Sequence, residues 1–367
     1  MRVPSTVAPL AISQAPALRA QARDAAHAGY RAVLARRTAL LALLLCLLAA
    51  SFVTDVVTGS SGLSVADLLQ VLLHPGSLDR TTEVIVWNVR LPYGVMAVLV
   101  GAALGLAGAE MQTVLDNPLA SPFTLGVSSA AALGASLAIV FRFAVPGLSY
   151  NGVVAACAFV FACASVFLLQ LMSRLRGAGV ESLVLFGIAL VFSCNAAVAM
   201  LQLVATEDVL QQLVFWTLGS VARATWDKVG VLGAAFLLVL PFSLRASWRL
   251  TALRLGEDRA RSFGVDVKRL RVASLLRISL LASFAVAFVG PIGFIGLVGP
   301  HMARLCVGED QRFLLPASAT VGALLLSLSS IASKLILPGV IVPVGIVTAL
   351  VGVPVFVVLV FSRGGRA

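Results

Sequence analysis

Ten apolar runs recur along the chain, and they fix the environment it can fold in. They lie at about 38–53, 92–112, 120–141, 151–173, 182–204, 229–244, 272–290, 294–307, 313–333 and 342–361. Most are long enough to cross a ~30 Å hydrocarbon core as a helix rising about 1.5 Å per residue. The runs at 229–244 and 294–307 are short, and read as partial helices sheltered by neighbours or as tilted ends of longer ones. Composition agrees, with 60% of the 367 residues apolar or aromatic and 12% charged. One soluble core cannot hide that much apolar surface. A soluble enzyme, a disordered chain and a fibrous protein are therefore excluded. The expectation is an all-α polytopic membrane protein of about ten transmembrane helices. Its 31 Gly and 15 Pro suit packed and broken helices better than a simple anchor.

Charge sets the expected orientation. The net charge of +11 comes from 24 Arg and 3 Lys against 16 acids. Membrane proteins retain Lys and Arg on the cytoplasmic side, which accounts for this balance without a nucleic-acid partner. Ten crossings put both termini on one side. If that side is the cytoplasm, 21 of the 27 cations fall inside and six outside: Arg80, Arg90, Arg142, Arg223, Lys228 and Lys334. The expectation is a multi-pass protein of a bacterial inner (plasma) membrane with cytoplasmic termini. Residues 1–37 form a basic tail (Arg2, Arg19, Arg23, Arg31, Arg36 and Arg37 against Asp24), and 38–367 the transmembrane domain. Ala49-Ala50-Ser51 is a faint cleavage motif, but run 38–53 reads as a retained span.

Several chemistries find no residues to support them. Cys46, Cys157, Cys163, Cys194 and Cys306 lie in or beside apolar runs without a C-x-x-C pair, and read as small hydrophobes. His27, His74 and His301 are far apart, so no metal-ligand spacing exists. No Gly-Lys dipeptide occurs, which removes the P-loop and with it ATP hydrolysis by that motif. Glu110 stands as the one acid inside a run, near its cytoplasmic end. It reads as a snorkelling or hydrogen-bonded carboxylate. The alternative is the proton site of an ion-coupled secondary transporter.

Two loops and several broken segments carry pattern. The external loop 54–91 holds Ser64-Val65-Ala66-Asp67-Leu68-Leu69-Gln70, a short capped amphipathic helix for the membrane surface. The internal loop 245–271 is the most charged stretch and contains LGEDRARSFGVDVKRLR at 255–271, two short helices separated by Gly264. Glu257 and Asp258 open the first, where they favour the helix dipole. In Asn117-Pro118-Leu119-Ala120-Ser121-Pro122 the prolines break the helix, and Asn117 can satisfy freed backbone groups. Gly126, Ser128 and Ser129 follow, small enough for close helix packing or for a smooth pathway wall. Gly290-Pro291-Ile292-Gly293, Gly296 and Gly299-Pro300 bracket another short span, whose breaks can line a cavity. A metal role for His301 beyond it lacks co-ligands at a suitable spacing, and the residue reads as structural or interfacial.

Five segments, taken in order, carry a resemblance: 90–135, QQLVFWTLGS (211–220), 255–271, VGPIGFIGLVGPHMARLCVGED (289–310) and VPVGIVTALVGVPVF (342–356). Together they resemble the FecCD family of ABC-importer permeases, which import ferric siderophores, haem and cobalamin. The resemblance implies a fold like the cobalamin-importer permease and binding-protein-dependent transport. It implies a second permease subunit, identical or homologous, two cytoplasmic ABC ATPases, a periplasmic substrate-binding protein and surrounding membrane lipid. It implies that Leu255, Gly256, Glu257, Asp258, Arg259, Ala260, Gly264 and Val265 couple to the ATPase. Arg90 and Lys334 match cations that dock the binding protein. Tyr93 stands where the family often has a second cation, and Ser330 where it usually has an acid. The chain itself would bind no cofactor or metal, ATP and Mg being used by the partner. Ferric siderophore is the leading cargo.

Overall fold

The computed structural model describes residues 10–59, 62–76, 78–176, 180–337 and 339–363, so Arg2 lies outside the described residues. The helices are α1 (Leu10–Val57), α2 (Val65–Leu73), α3 (Arg80–Ile85), α4 (Leu91–Val114), α5 (Val127–Val140), α6 (Tyr150–Arg176) and α7 (Val180–Val204). They continue with α8 (Glu207–Thr217), α9 (Trp226–Leu253), α10 (Glu257–Ser262), α11 (Val267–Val289), α12 (Ile295–Val307), α13 (Gln311–Leu335) and α14 (Val344–Arg363). Among the described residues seven helices are long and apolar enough to cross a membrane, and three more apolar helices are shorter. Contacts divide the chain into Met1–Leu43 and Leu44–Ala367. The described part of the first unit is the N-terminal part of α1, with Tyr30, Arg31, Val33 and Arg36 exposed.

Every apolar run contains a helix, but several boundaries differ from those the sequence suggests, each for a local reason. Pro118 and Pro122 withhold backbone donors, so the run at 120–141 becomes helix only from Val127. The short run at 229–244 belongs to a 28-residue helix that carries Pro241 inside and continues through Arg245 and Arg249. The charged internal loop accordingly shrinks to its part beyond Leu253. The first external loop is also mostly helical. Ser64 caps α2 in a reciprocal box with Asp67, as its sequence suggests. Beyond it α3 runs through a π-turn at Val86–Arg90 straight into α4, so Arg90 lies inside a continuous helical stretch. Asp55, assigned by sequence to that loop, is in the last turn of α1 and fully buried.

The axis of the second unit is α4, with 20 of its 24 residues buried. Gly101, Gly105 and Gly108 recur on one face, and each meets a neighbouring backbone directly. A Cβ at Gly101 would collide with the Gly322 carbonyl, one at Gly105 with that of Ser318, and one at Gly108 with that of Gly296. Helices in lipid gain little from hydrophobic exclusion, so such close approach is a main source of their cohesion. The last contact also explains Pro300, which lies inside α12 instead of ending it. Proline has no N–H for the carbonyl four residues back, here Gly296, and that carbonyl faces α4. α12 ends instead at Gly308, where φ is +81°.

Gly108→Ala is expected to lower the stability of the solubilised protein by about 1–3 kcal/mol through overpacking. Gly230→Ala, on a part of α9 with nothing within 4 Å, should leave it unchanged or slightly raised. Thermal unfolding in detergent compares the two.

Candidate transport cavity

A cavity of about 870 Å³ opens between α5, α7 and the turns that follow α4. Its wall is apolar with a few amide and hydroxyl groups, among them Asn117, Thr124, Ser128, Ser129, Asn195 and Gln202. Among the described residues no acid, base or imidazole lines it. Such a wall offers hydrogen bonds but neither ligands for a metal nor a counter-charge for an ion. Asn117 also serves its own turn, its Oδ1 accepting from the Leu119 N–H at 2.9 Å. Gly126 starts α5 from a φ of +86°, which a side chain would strain.

Of the pathway residues suggested by sequence, Asn117, Ser128, Ser129 and Pro291 reach this wall. The others serve packing. Gly126 approaches Leu190, Gly293 faces the Phe123 ring, Gly296 abuts α4, and Pro118 shapes the turn. Asn195, Gln202 and Thr217 were not anticipated. Asn195 and Gln202, the two amides of α7, are seven residues apart on one face of that helix, a visible pattern in the sequence.

At one end of the cavity three separate motifs meet through glycine. Ser220 N–H donates to the Val289 carbonyl at 2.7 Å, and Gly345 N–H to the Gly219 carbonyl at 3.1 Å. A Cβ on Gly219 would strike the Pro291 carbonyl, and one on Gly345 the Leu218 carbonyl. The broken segment 290–294, with φ of +83° at Gly290 and +66° at Phe294, is thereby sewn to the end of α8 and the start of α14. Arg223 holds the seam. Its guanidinium donates to the carbonyls of Phe215, Trp216 and Val289, at the ends of α8 and α11. Burial draws its pKa down to about 10, so it remains charged at neutral pH. Its sequence position suggested only an outer loop charge.

The opposite end of α4 carries a buried polar collar. Glu110, 1% exposed, accepts two bonds at 3.1 Å from Arg277 Nε and one at 2.7 Å from its Nη2, and Arg277 also donates to Ser274. Gln112 accepts from Arg304 at 3.2 Å and donates to the Leu297 carbonyl at 3.3 Å. Gln311 donates to Thr113 at 2.9 Å. Arg271 donates to the Val114 carbonyl at 3.3 Å. Glu309 joins Arg254 at the end of α9 to Arg304, at 3.0 and 3.1 Å. The sequence missed this collar because its partners are distant along the chain. Glu110 is a paired structural carboxylate here, in keeping with the hydrogen-bonded reading, and His301 is half-buried in α12.

The motif 255–271 lies at this same end. Gly256, φ +106°, precedes α10. Glu257 pairs with Arg271 and with Arg261, the latter at 3.1 Å. Ala260 and Val265 are buried and anchor the element, while Leu255, Asp258 and Arg259 are exposed. Gly264, φ +81°, makes the turn. The second of the two expected short helices is instead the opening of the 23-residue α11, capped by Asp266.

The side chains of the two cations matched to docking are buried and bonded within the chain. Lys334 donates to Asp55 Oδ1 at 2.8 Å and to the Asp55 carbonyl at 2.6 Å, with side chains 3% and 0% exposed. Its acid thus comes from α1, while Ser330 is buried without a charge to offer. Arg90, 7% exposed, donates to the Thr58 carbonyl. Both border a cavity of about 610 Å³ that Tyr93 also lines. The Ser51–Ser327 hydrogen bond at 2.8 Å adds a second tie between α1 and α13.

Glu110→Ala should destabilise the solubilised protein by about 3–5 kcal/mol, because it leaves Arg277, its side chain 13% exposed, without its carboxylate. Glu110→Leu combined with Arg277→Met should recover most of the loss. Denaturation midpoints of the three proteins test the pair.

Residues 44–362 match the model of the FecCD transport family. An ABC transporter permease protein of Methanocaldococcus jannaschii is 36% identical over 332 residues, covering 88% of this chain and 94% of that one. The hemin transport system permease protein of Yersinia pestis is 38% identical over 282 residues, covering 76% and 84%. A solved metal-chelate type ABC transporter in an inward-facing conformation is similar at a TM-score of 0.77 and 32% identity, covering 89% of this chain and 99% of that one. With the family model and these relatives spanning most of its length, the chain belongs to the FecCD transport family as a multi-pass permease of the inner (plasma) membrane.

Proposed function

We propose that the protein is the permease subunit of an ATP-driven importer that carries an intact metal chelate inward, with ferric siderophore as the cargo class. The supporting observation is the 870 Å³ cavity, which offers amide and hydroxyl hydrogen bonds but no charged or metal-ligating side chain among the described residues. A bare cation entering it would lose its hydration without compensation, and an oxyanion would find no cation. A chelate arrives with its metal already coordinated and presents a polar, closed periphery that such a wall can accept. The metal is cargo and takes no ligand from the chain.

Energy enters from outside the chain in this reading. Two ABC ATPases sit at the end that carries α10, which is then the cytoplasmic end, and both termini share that side. A second permease subunit completes the pathway, and a periplasmic binding protein delivers the chelate. Leu255, Asp258 and Arg259 offer the exposed face of the coupling element. The ion-coupled alternative gains nothing from Glu110, whose carboxylate is already bonded by Arg277.

Affinity capture of the tagged, solubilised protein tests the assembly. An ATPase should co-purify with the natural chain and be lost from one carrying Gly256→Pro and Arg259→Glu. Transport by liposomes that contain the permease alone would sink the proposal. Asn195→Leu with Gln202→Leu should weaken uptake of an iron-55 trihydroxamate chelate by about tenfold, as expected for losing one or two buried hydrogen bonds. Capture of the ATPase should stay at the natural level.

A further inference from the structure

Among the bonds that reach the last turn of α4, one continues to α10. Arg271, near the start of α11, uses its guanidinium twice. One nitrogen pairs with Glu257 of α10, and Nε donates to the Val114 carbonyl, the last of α4. Two residues past that carbonyl the chain turns sharply, with φ of +43° at Asp116. Asn117 follows, its N–H bonded back to the Gln112 carbonyl at 3.1 Å and its side chain in the cavity wall. α10 thus reaches the cavity through one side chain and one peptide turn. Glu257, its side chain 39% exposed, bonds into this link and to Arg261, whereas Asp258 beside it is 99% exposed.

We propose that Arg271 is a positioning residue that carries displacement of α10 to the turn bearing Asn117 and Leu119. Glu257 sets the guanidinium, and the guanidinium holds the carbonyl end of α4. The planar fork is essential to the idea, because a lysine ammonium is a point charge that does not hold two partners in fixed directions. The proposal rests on α10 being the element an ATPase moves.

The test is an accessibility measurement in the assembled complex. Leu119, 48% exposed beside the cavity, is replaced by cysteine in a background whose native cysteines are removed, and a maleimide reports that thiol with and without ATP. ATP should change the labelling rate by about tenfold in the background protein, the size of an ordinary coupling between sites. Arg271→Lys should reduce that change to under about twofold while ATPase capture and ATP hydrolysis persist. Arg271→Gln, which keeps an amide donor but also loses the charged fork, gives the same reading if Arg271→Lys fails to fold. An undiminished labelling change in both variants would overturn the proposal. So would loss of ATPase capture in step with labelling, which marks a docking role alone. A background complex that hydrolyses ATP without any change in labelling overturns the link and leaves the importer reading standing. A background protein that captures no ATPase overturns both.

Discussion

Direct backbone contact along α4 is the constraint on which the rest of the molecule depends. Lipid tails solvate leucine as well as another helix does, so a membrane protein must find cohesion in close approach and in polar bonds. This chain separates the two along one helix. The glycine face at positions 101, 105 and 108 brings α12 and α13 to van der Waals contact. The polar turn at 110–114 then receives side chains from α11, α12 and α13. Packing fixes where the helices lie, and the collar fixes their rotation and depth. The cavity draws on both, because its wall combines α5 and α7 with the turn after α4 and the start of α12.

The buried ion pairs follow the same economy. Asp55–Lys334 and Glu110–Arg277 stand near opposite ends of the bundle, each joining helices far apart in sequence. Neither is strong evidence of stability, since desolvation offsets much of the attraction. Their effect is specificity, as a shifted helix would leave a charge stranded in a dry place.

The fold was legible where a pattern is local. Apolar runs placed the helices, Ser64 and Asp67 declared a cap, and Pro118 with Pro122 announced a break. Boundaries failed where polar residues sit on a helix that continues beyond the lipid, as at Arg245 and Arg249, or where a charge is neutralised by a distant partner, as at Asp55. The site was legible in its breaks and small residues, Asn117, Ser128, Ser129 and Pro291. Asn195 and Gln202 escaped because two amides on an apolar helix look like incidental polarity until the opposite wall is known. The three glycine motifs read as separate, since nothing in one stretch of chain reveals that Gly219, Gly290 and Gly345 abut the same few carbonyls. Matching Lys334 by position found the cation but not its ion-pair partner, because Asp55 lies 279 residues away.

The uncharged lining has an electrical consequence. Moving a unit charge across a membrane potential costs or releases about 2.3 kcal/mol per 100 mV. Walls without charge, among the described residues, feel no such force when they shift. Differences in voltage dependence between cargoes would then report the net charge of each cargo itself. Potential-clamped vesicles could sort neutral from anionic chelates by that property alone, without a structure of either bound.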